Sequence, residues 1–173
     1  MRQFMLALFL TFLAINAFSQ QFETNKVDDF TGDTTRVTSW ETLVRQMNGV
    51  SFFYFRQTGK QYFLNITYMK GNMKPQAVDK GSDLMFKLDD GGMVTLKCAT
   101  NTMSGKGNGA RGLGGSSAEG INIPYLLPIA DFKTLQQHRV VKMRIYFMDG
   151  YLDFDIKDKH ADTFLNAAKL FNL

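Results

Sequence analysis

Residues 143–156 read MRIYFMDGYLDFDI, and this stretch decides the fold class of the chain. Apolar and polar residues alternate on both sides of Asp149-Gly150, a dipeptide typical of two-residue turns between antiparallel strands. Folding about that turn pairs the apolar residues on one face, as Phe147 with Leu152, Ile145 with Phe154 and Met143 with Ile156. On the opposite face the same register pairs Arg144 with Asp155 and Tyr146 with Asp153. The stretch therefore predicts a β-hairpin with one buried face.

Residues 51–66 predict a second hairpin, with Thr58-Gly59 as its turn. The predicted pairs are Phe55 with Tyr62, Phe53 with Leu64 and Ser51 with Ile66, and Tyr54 faces Phe63 on the other side. Because both faces of this hairpin are apolar, we expect it to lie at the centre of the fold.

Residues 84–98 predict a third hairpin, whose loop is Asp90-Gly91-Gly92 with Gly92 in the left-handed conformation. The predicted pairs are Leu88 with Val94, Phe86 with Leu96 and Leu84 with Cys98. A two-residue turn at Asp90-Gly91 would oppose Phe86 to Thr95 and break the apolar alternation. The spacing therefore favours the three-residue loop.

Three short helices complete the predicted set of elements. The run Thr38-Ser39-Trp40-Glu41 has the hydroxyl and carboxylate spacing of a capping box, and the apolar residues after it follow helical spacing. We therefore predict a helix over residues 40–48. The other two helices are predicted over 131–138 and 159–171, the first capped by Asp131 and the second by Asp158.

These elements predict one α+β domain over residues 34–173, with a mainly antiparallel sheet of about seven or eight strands built from hairpins. The polar residues 20–33 are expected to form a loose arm before the domain. A strand over 121–129 is expected at an edge or a bulge, because Pro124 cannot donate to a strand ladder. The pattern leaves open whether the sheet is flat, a half-barrel or two-layered.

The first nineteen residues have the layout of a cleaved signal peptide. A short positive start that includes Arg2 precedes an apolar run from Phe4 to Phe18, and small residues precede a cut before Gln20. The apolar run is short for a permanent membrane span, so no span is expected after cleavage. The segment predicts a periplasmic or secreted protein.

Four short segments carry a resemblance to other proteins. They are Phe30-Thr31-Gly32, Thr38-Ser39-Trp40-Glu41, Asp79-Lys80-Gly81 and the residues MDGYLDFD at 148–155. With them, the chain resembles a group of small exported proteins of Gram-negative bacteria to which no activity is assigned. The resemblance implies export and a single domain, and it implies nothing about catalysis.

Composition and charge exclude several classes of function. The formal net charge of +4 is small and its charges are dispersed, which argues against a nucleic-acid partner. Cys98 is the single cysteine, so no intramolecular disulfide can form, and its register predicts a buried, structural thiol. Residues 107–112 match a dinucleotide fingerprint by letters, but no helix-forming run follows them. The C-terminal acids lack calcium-loop spacing, so no cofactor and no metal is predicted.

The glycine-rich loop, residues 104–120, is the candidate binding segment. It holds seven of the 15 glycines of the chain. Glycine lets a backbone approach a ligand closely, and basic residues there favour an anion. The predicted binding residues are Lys106, Asn108, Arg111, Ser116 and Ser117. A plain flexible connection explains the same composition.

Two classes of function therefore stay open. The first is a non-enzymatic binding module whose partner is a protein or glycan of the envelope or the extracellular space. The second is an exported hydrolase acting on an envelope or dietary polymer. A hydrolase would need two converging acids among Asp149, Asp153, Asp155 and Asp158, or Cys98 beside a histidine. An inhibitor presenting the glycine-rich loop is a weaker third reading, because no disulfide holds that loop.

Overall fold

One large antiparallel sheet forms the body of the protein in a computed structural model, which describes residues 21–72, 74–108 and 119–173. The strands are β1 (Phe22–Val27), β2 (Thr34–Thr38), β3 (Glu41–Gln46), β4 (Gly49–Thr58), β5 (Gln61–Lys70), β6 (Ala77–Val78), β7 (Asp83–Leu88), β8 (Met93–Cys98), β9 (Thr102–Met103), β10 (Gly105–Lys106), β11 (Glu119–Leu126), β12 (Val140–Phe147) and β13 (Gly150–Asp155). The helices are α1 (Ile129–Gln137) and α2 (Asp158–Ala168). The predicted α+β class, with a mainly antiparallel sheet, is confirmed.

The order of strands in the sheet is β1-β2-β4-β5-β11-β8-β7-β12-β13. In addition, β3 pairs with β4, β10 pairs with β11, and β6 and β9 form a separate pair. The described residues thus place eleven strands in the main sheet, more than the predicted seven or eight. The excess comes from β1 and β3, which were predicted as a loose arm and a helix, and from β10, whose two residues leave little periodicity to detect.

The sheet curls so strongly that distant strands meet across its interior. Tyr68 on β5 and Phe154 on β13 have ring centroids 5.3 Å apart, although four strands separate β5 from β13 in the sheet order. Helix α2 fills one end of this interior, where Phe164 contacts Phe53, Phe55 and Phe86. The apolar core therefore lies inside the curled sheet and is closed at that end by the helices.

All three predicted hairpins form, but the register of each differs from the prediction by two residues. The observed pairs include Phe55 with Leu64, Phe86 with Val94 and Met143 with Phe154. Side chains alternate with a period of two, so a shift of two residues keeps every side chain on its predicted face. The buried face of each hairpin was therefore predicted correctly even though the partners were not.

The turns explain these register shifts. In the β7–β8 hairpin the positive φ of +88° belongs to Gly91 and not to Gly92, so the three-residue loop begins one residue earlier than predicted. The pair between Phe147 and Gly150 centres the β12–β13 turn on Met148 and Asp149. As a result Arg144 lies opposite Asp153 instead of Asp155.

The predicted helix over residues 40–48 is wrong, because this segment forms β3 and its turn into β4. A register irregularity between Thr42 and Val44 lets the adjacent residues Leu43 and Val44 both face the core. Two neighbouring buried residues imitate the i+3, i+4 part of a helical stripe. Met47, the last residue of the supposed stripe, is 97% exposed.

Two further predictions near the sheet edges need correction. The loose arm predicted over residues 20–33 contains β1, which pairs with β2 along its length. The strand with Pro124 lies inside the sheet, between β5 and β8. Its pairing with β8 covers only Tyr125 and Leu126, so Pro124 lies at the end of that ladder, where its carbonyl accepts the N–H of Ala99 at 2.8 Å. Pro124 has no N–H to donate to a neighbouring strand, and the end of a ladder, like the edge of a sheet, does not require one.

The helix boundaries follow the predictions with small shifts. Helix α1 begins two residues before Asp131, after Pro128, and α2 begins at Asp158 after Lys157. Neither helix has a side-chain hydrogen bond at its N-cap, so the predicted capping roles of the two aspartates are wrong. Both carboxylates still lie in the first helical turn, where the helix dipole favours negative charge.

Candidate functional site

A cleft of about 350 Å³ lies at the end of the curled interior that the helices leave uncovered. It is formed by the end of β5, the segment that follows it and the β12–β13 turn. Its polar lining consists of Tyr68, Lys70, Asn72, Lys74, Gln76, Asp149 and Tyr151. The cleft is concave and combines apolar walls with a few polar groups, as small-molecule sites generally do.

Strand β5 positions the floor of the cleft. At its first end, Tyr62 packs against Phe132 of α1 and Phe171 near the C-terminus, with ring centroids 5.4 and 5.9 Å away. At its last end, Tyr68 and Lys70 follow the core residues on the same face of the strand. Burial raises the pKa of Tyr68, so its hydroxyl stays protonated and can donate a hydrogen bond. The strand therefore leads from a closed apolar end to a polar opening.

A chain of hydrogen bonds holds the wall of the cleft against the base of the glycine-rich loop. The backbone N–H of Gln76 donates to Ser104 Oγ at 2.8 Å, and the backbone N–H of Ser104 donates back to the Gln76 carbonyl at 2.8 Å. Ser104 Oγ then donates to Glu119 Oε1 at 2.8 Å. Gln76 Nε2 also donates to Asp149 Oδ2 at 3.2 Å, which links this wall to the β12–β13 turn.

One predicted binding residue, Lys106, lies beside the opening of the cleft. Lys106 on β10 lies opposite Glu119 on β11, and Glu119 lies opposite Lys70 on β5. Residues directly opposite one another in antiparallel strands project to the same face. Lys106, Glu119 and Lys70 therefore form a row across three strands at the opening of the cleft.

Of the other predicted binding residues, the structure describes only Asn108. Asn108 is exposed, and its backbone crosses Gly120 so closely that a Cβ at Gly120 would overlap the Asn108 carbonyl oxygen. Arg111, Ser116 and Ser117 lie outside the described residues. Lys70 and Lys74 were not among the predicted binding residues. Lys70 lies an even number of residues after Leu64 and Ile66, so alternation places it on the same face of β5, at the polar end. This alternation is the sequence pattern that could have identified Lys70.

The described lining of the cleft carries two lysines and one carboxylate, so its net charge is positive. Lys70 and Lys74 line it, and within residues 21–72, 74–108 and 119–173 neither lysine forms an ion pair with a carboxylate. Asp149 also lines the cleft, and it accepts a hydrogen bond from Gln76. An ammonium group without an acidic partner favours an anionic ligand.

Three of the acids considered for a hydrolase, Asp153, Asp155 and Asp158, lie elsewhere and are paired, whereas Asp149 lines the cleft. Arg144 donates to both carboxylate oxygens of Asp153 at 2.6 Å and holds the pKa of that carboxyl below its usual value. Asp155 pairs with Lys142 at 3.1 Å, and Arg139 pairs with Asp158 at 3.4 Å and with Asp162 at 2.8 Å. These acids lie on the outer face of β13 or on α2, away from the cleft.

Cys98 is a buried thiol, as predicted, and its surroundings keep it protonated. Its Sγ donates to the Thr100 carbonyl at 3.0 Å. Burial is the largest influence on the thiol and raises its pKa, so little thiolate forms at neutral pH. The predicted pairing of Cys98 with Leu84 is wrong, because Leu84 lies opposite Leu96 and the Cys98 N–H donates to the Ser82 carbonyl at 2.9 Å. On its other side Cys98 lies opposite Tyr125 of β11. The environment is that of a structural cysteine.

A second groove, of about 340 Å³, lies on the outer face of β7, β12 and β13. Arg144 crosses it, with its guanidinium carbon 4.0 Å from the ring centroid of Tyr151 and both carboxylate oxygens of Asp153 in reach. Lys142 is also paired, with Asp155. Because these charges already compensate one another, the groove offers a ligand less than the cleft does.

Comparisons with known proteins identify no relative of this chain, so the functional argument rests on the geometry of the cleft. No family model, no curated protein and no solved structure matches the chain. Within the described part of the chain, neither helix has the length and apolar character needed to cross a membrane.

Proposed function

We propose that the protein is an exported, non-enzymatic binding protein that captures an acidic saccharide in the cleft beside the glycine-rich loop. The observation that carries this proposal is the pair of lysines, Lys70 and Lys74, in a concave site without an acidic ion-pair partner among the described residues. Lysine ammonium groups are strong donors to carboxylate and sulfate oxygens. The cleft volume lies at the lower end of the range for small-molecule sites, which suits one or two sugar rings.

The remaining lining supports a sugar more than a simple anion. Phe147 and Leu152 line the cleft and offer an apolar surface to a sugar ring, whereas the ring of Tyr151 lies against Arg144. The amide side chains of Asn72 and Gln76 and the hydroxyl of Tyr68 offer hydrogen bonds to sugar hydroxyls. A ligand with both a negative charge and several hydroxyls would use all of these groups.

The lining favours binding over hydrolysis. Two carboxyl groups flanking the scissile bond are the usual machinery of glycoside hydrolysis. Asp149 is the carboxylate that lines the described part of the cleft. Asp153 and Asp155, which would have to join it, project from the outer face of β13 towards Arg144 and Lys142. We therefore propose capture without cleavage.

Export rests on the sequence of residues 1–19, which lie outside the described residues. Acidic polysaccharides are common outside the cytoplasm, so a periplasmic or secreted location agrees with the proposed ligand. The full chain produced in a Gram-negative host should appear in the periplasm or the medium with Gln20 as its first residue. Recovery of the protein from the cytoplasm with Met1 retained would contradict export.

Titration calorimetry with defined oligosaccharides tests the binding site. The acidic probe is a hexasaccharide of galacturonic acid, and the neutral probe is a hexasaccharide of galactose. We expect saturable binding of the acidic probe alone, weakened about tenfold or more in the double variant Lys70→Ala/Lys74→Ala. Raising the ionic strength should also weaken binding, because screening shortens the reach of the ammonium charges.

The matched control is Lys60→Ala. Lys60 is exposed and precedes the first residue of β5, whereas Lys70 is the last residue of that strand. Lys60→Ala is therefore compared with the single variant Lys70→Ala, because each removes one positive charge from an end of β5. The control should bind the acidic probe as the unchanged protein does. Failure to bind either probe, or equal loss in the control and the double variant, would overturn the proposed ligand class.

A further inference from the structure

The turn between β7 and β8 meets the end of α1 and brings three metal-ligating side chains together. Asp89 and Asp90 belong to the turn, and His138 follows the last residue of the helix. One ligand atom from each lies within 4.8 Å of the other two. We propose that Asp89, Asp90 and His138 form a zinc-binding site, separate from the cleft and independent of the proposed saccharide.

The distances suit a shared ion better than direct hydrogen bonds. His138 Nδ1 lies 3.6 Å from Asp89 Oδ1 and 3.4 Å from Asp90 Oδ2. Both separations exceed the usual N–H···O⁻ distance of about 2.7–2.9 Å. Ligand bonds of about 2.0–2.2 Å in a tetrahedron place neighbouring ligand atoms about 3.3–3.6 Å apart. The ligand oxygens of Asp89 and Asp90 lie within 4.8 Å of each other, so a small movement of one carboxylate would let a single ion bind all three side chains.

Backbone hydrogen bonds fix the two segments that carry the ligands. The N–H of Asp89 donates to the carbonyl of Arg139 at 3.0 Å, which ties the turn to the residue after His138. Asp90 Oδ1 accepts the N–H of Gly92 at 2.8 Å, and this leaves Oδ2 directed at His138. A ligand set held in this way loses little conformational entropy when it binds an ion.

The local charge also favours a cation. Among the described residues, no lysine or arginine forms an ion pair with Asp89 or Asp90. Arg139, the neighbouring cation in sequence, is instead paired with Asp158 and Asp162. The two carboxylates therefore face the imidazole without another positive group.

The ligand types identify zinc as the best-suited ion. One imidazole nitrogen and two carboxylate oxygens are common zinc ligands, and a water molecule would complete a tetrahedron. Calcium takes six to eight oxygen ligands and magnesium prefers an octahedron of oxygens, so neither fits this set. Strand β12 runs from Val140 beside this cluster to Phe147 at the cleft, so the two sites lie at opposite ends of the protein.

Calorimetric titration with zinc chloride at pH 7.5 tests this site, with protein that carries no histidine tag. We expect one zinc ion per chain at micromolar affinity and a melting temperature that rises with zinc and returns when EDTA removes it. Magnesium chloride should produce neither effect. The variants His138→Gln and Asp90→Asn should each weaken zinc binding about tenfold or more.

The matched control is His160→Gln, which removes the other histidine of the chain. This variant should bind zinc as the unchanged protein does, and circular dichroism should show the native spectrum for all three variants. Absence of saturable zinc binding would leave the cluster as an ion pair and overturn the proposal. Equal zinc affinity in His138→Gln and the unchanged protein would overturn it as well.

Discussion

Replacing Phe164 with alanine is expected to lower the free energy of unfolding by about 3–5 kcal/mol. Phe164 on α2 is fully buried, and its ring lies 4.8 Å from that of Phe53, 5.1 Å from that of Phe55 and 5.5 Å from that of Phe86. These contacts join the helix to both halves of the curled sheet. Alanine would leave a cavity that three separately anchored aromatic residues cannot all move to fill.

Urea unfolding followed by circular dichroism measures this loss, and Phe30→Ala is the control. Phe30 is 99% exposed, so the same chemical change there should alter the free energy of unfolding by less than about 0.5 kcal/mol. If Phe164→Ala were no less stable than Phe30→Ala, α2 would not be the element that closes the interior.

Replacing Gly120 with alanine is expected to cost about 1–3 kcal/mol, because the added methyl group has no space. A Cβ on Gly120 would overlap the backbone carbonyl oxygen of Asn108, and a backbone group cannot move aside as a flexible side chain can. Gly120 pairs with Gly105, so the substitution should separate β10 from β11 and displace Lys106 from its row. We therefore expect both lower stability and weaker binding of the acidic oligosaccharide.

Gly71→Ala is the control for this substitution. No heavy atom lies within 4 Å of a Cβ at Gly71, and its backbone does not have a positive φ. The control should leave the urea midpoint almost unchanged. If Gly120→Ala were as stable as Gly71→Ala, the close crossing of Asn108 over β11 would not exist in solution.

The faces of the strands were predictable from sequence, whereas their partners were not. Alternation identified the buried sides of all three hairpins, because the pleat forces a period of two. The register depends on which residue of a turn takes a positive φ, and the run Asp90-Gly91-Gly92 offers two glycines for one such position. Gly91 takes it, and the pairing moves by two residues as a result.

The helix predicted after Thr38 failed because a bulge and a helix leave the same local signal. Adjacent buried residues at Leu43 and Val44 suit either structure, and the side chain of Ser39 hydrogen bonds to Glu41 without a helix. The deciding factor was pairing of this segment with β4, which supplies backbone partners that an isolated short helix lacks.

The candidate sites were only partly predictable, because each joins segments far apart in sequence. Lys106 was predicted as a binding residue from the composition of the glycine-rich loop alone. Lys70 lies near Lys106 only because β11 pairs with β5. In the same way, Asp89 meets His138 only because β7 pairs with β12. No local pattern encodes such long-range pairings.

The place of β11 in the sheet has a consequence for the kinetics of folding. Isolated hairpins form in about 1–10 μs, and the described residues hold four of them with turns of two or three residues. By contrast, β11 pairs with β5 from Glu119 to Leu126 after a long intervening segment, and it meets β8 only at Tyr125 and Leu126. Closing that large loop costs entropy before the strand contacts repay it. We therefore expect the docking of β11 to be the late, rate-limiting step, so that the row of Lys106, Glu119 and Lys70 is completed only as folding ends.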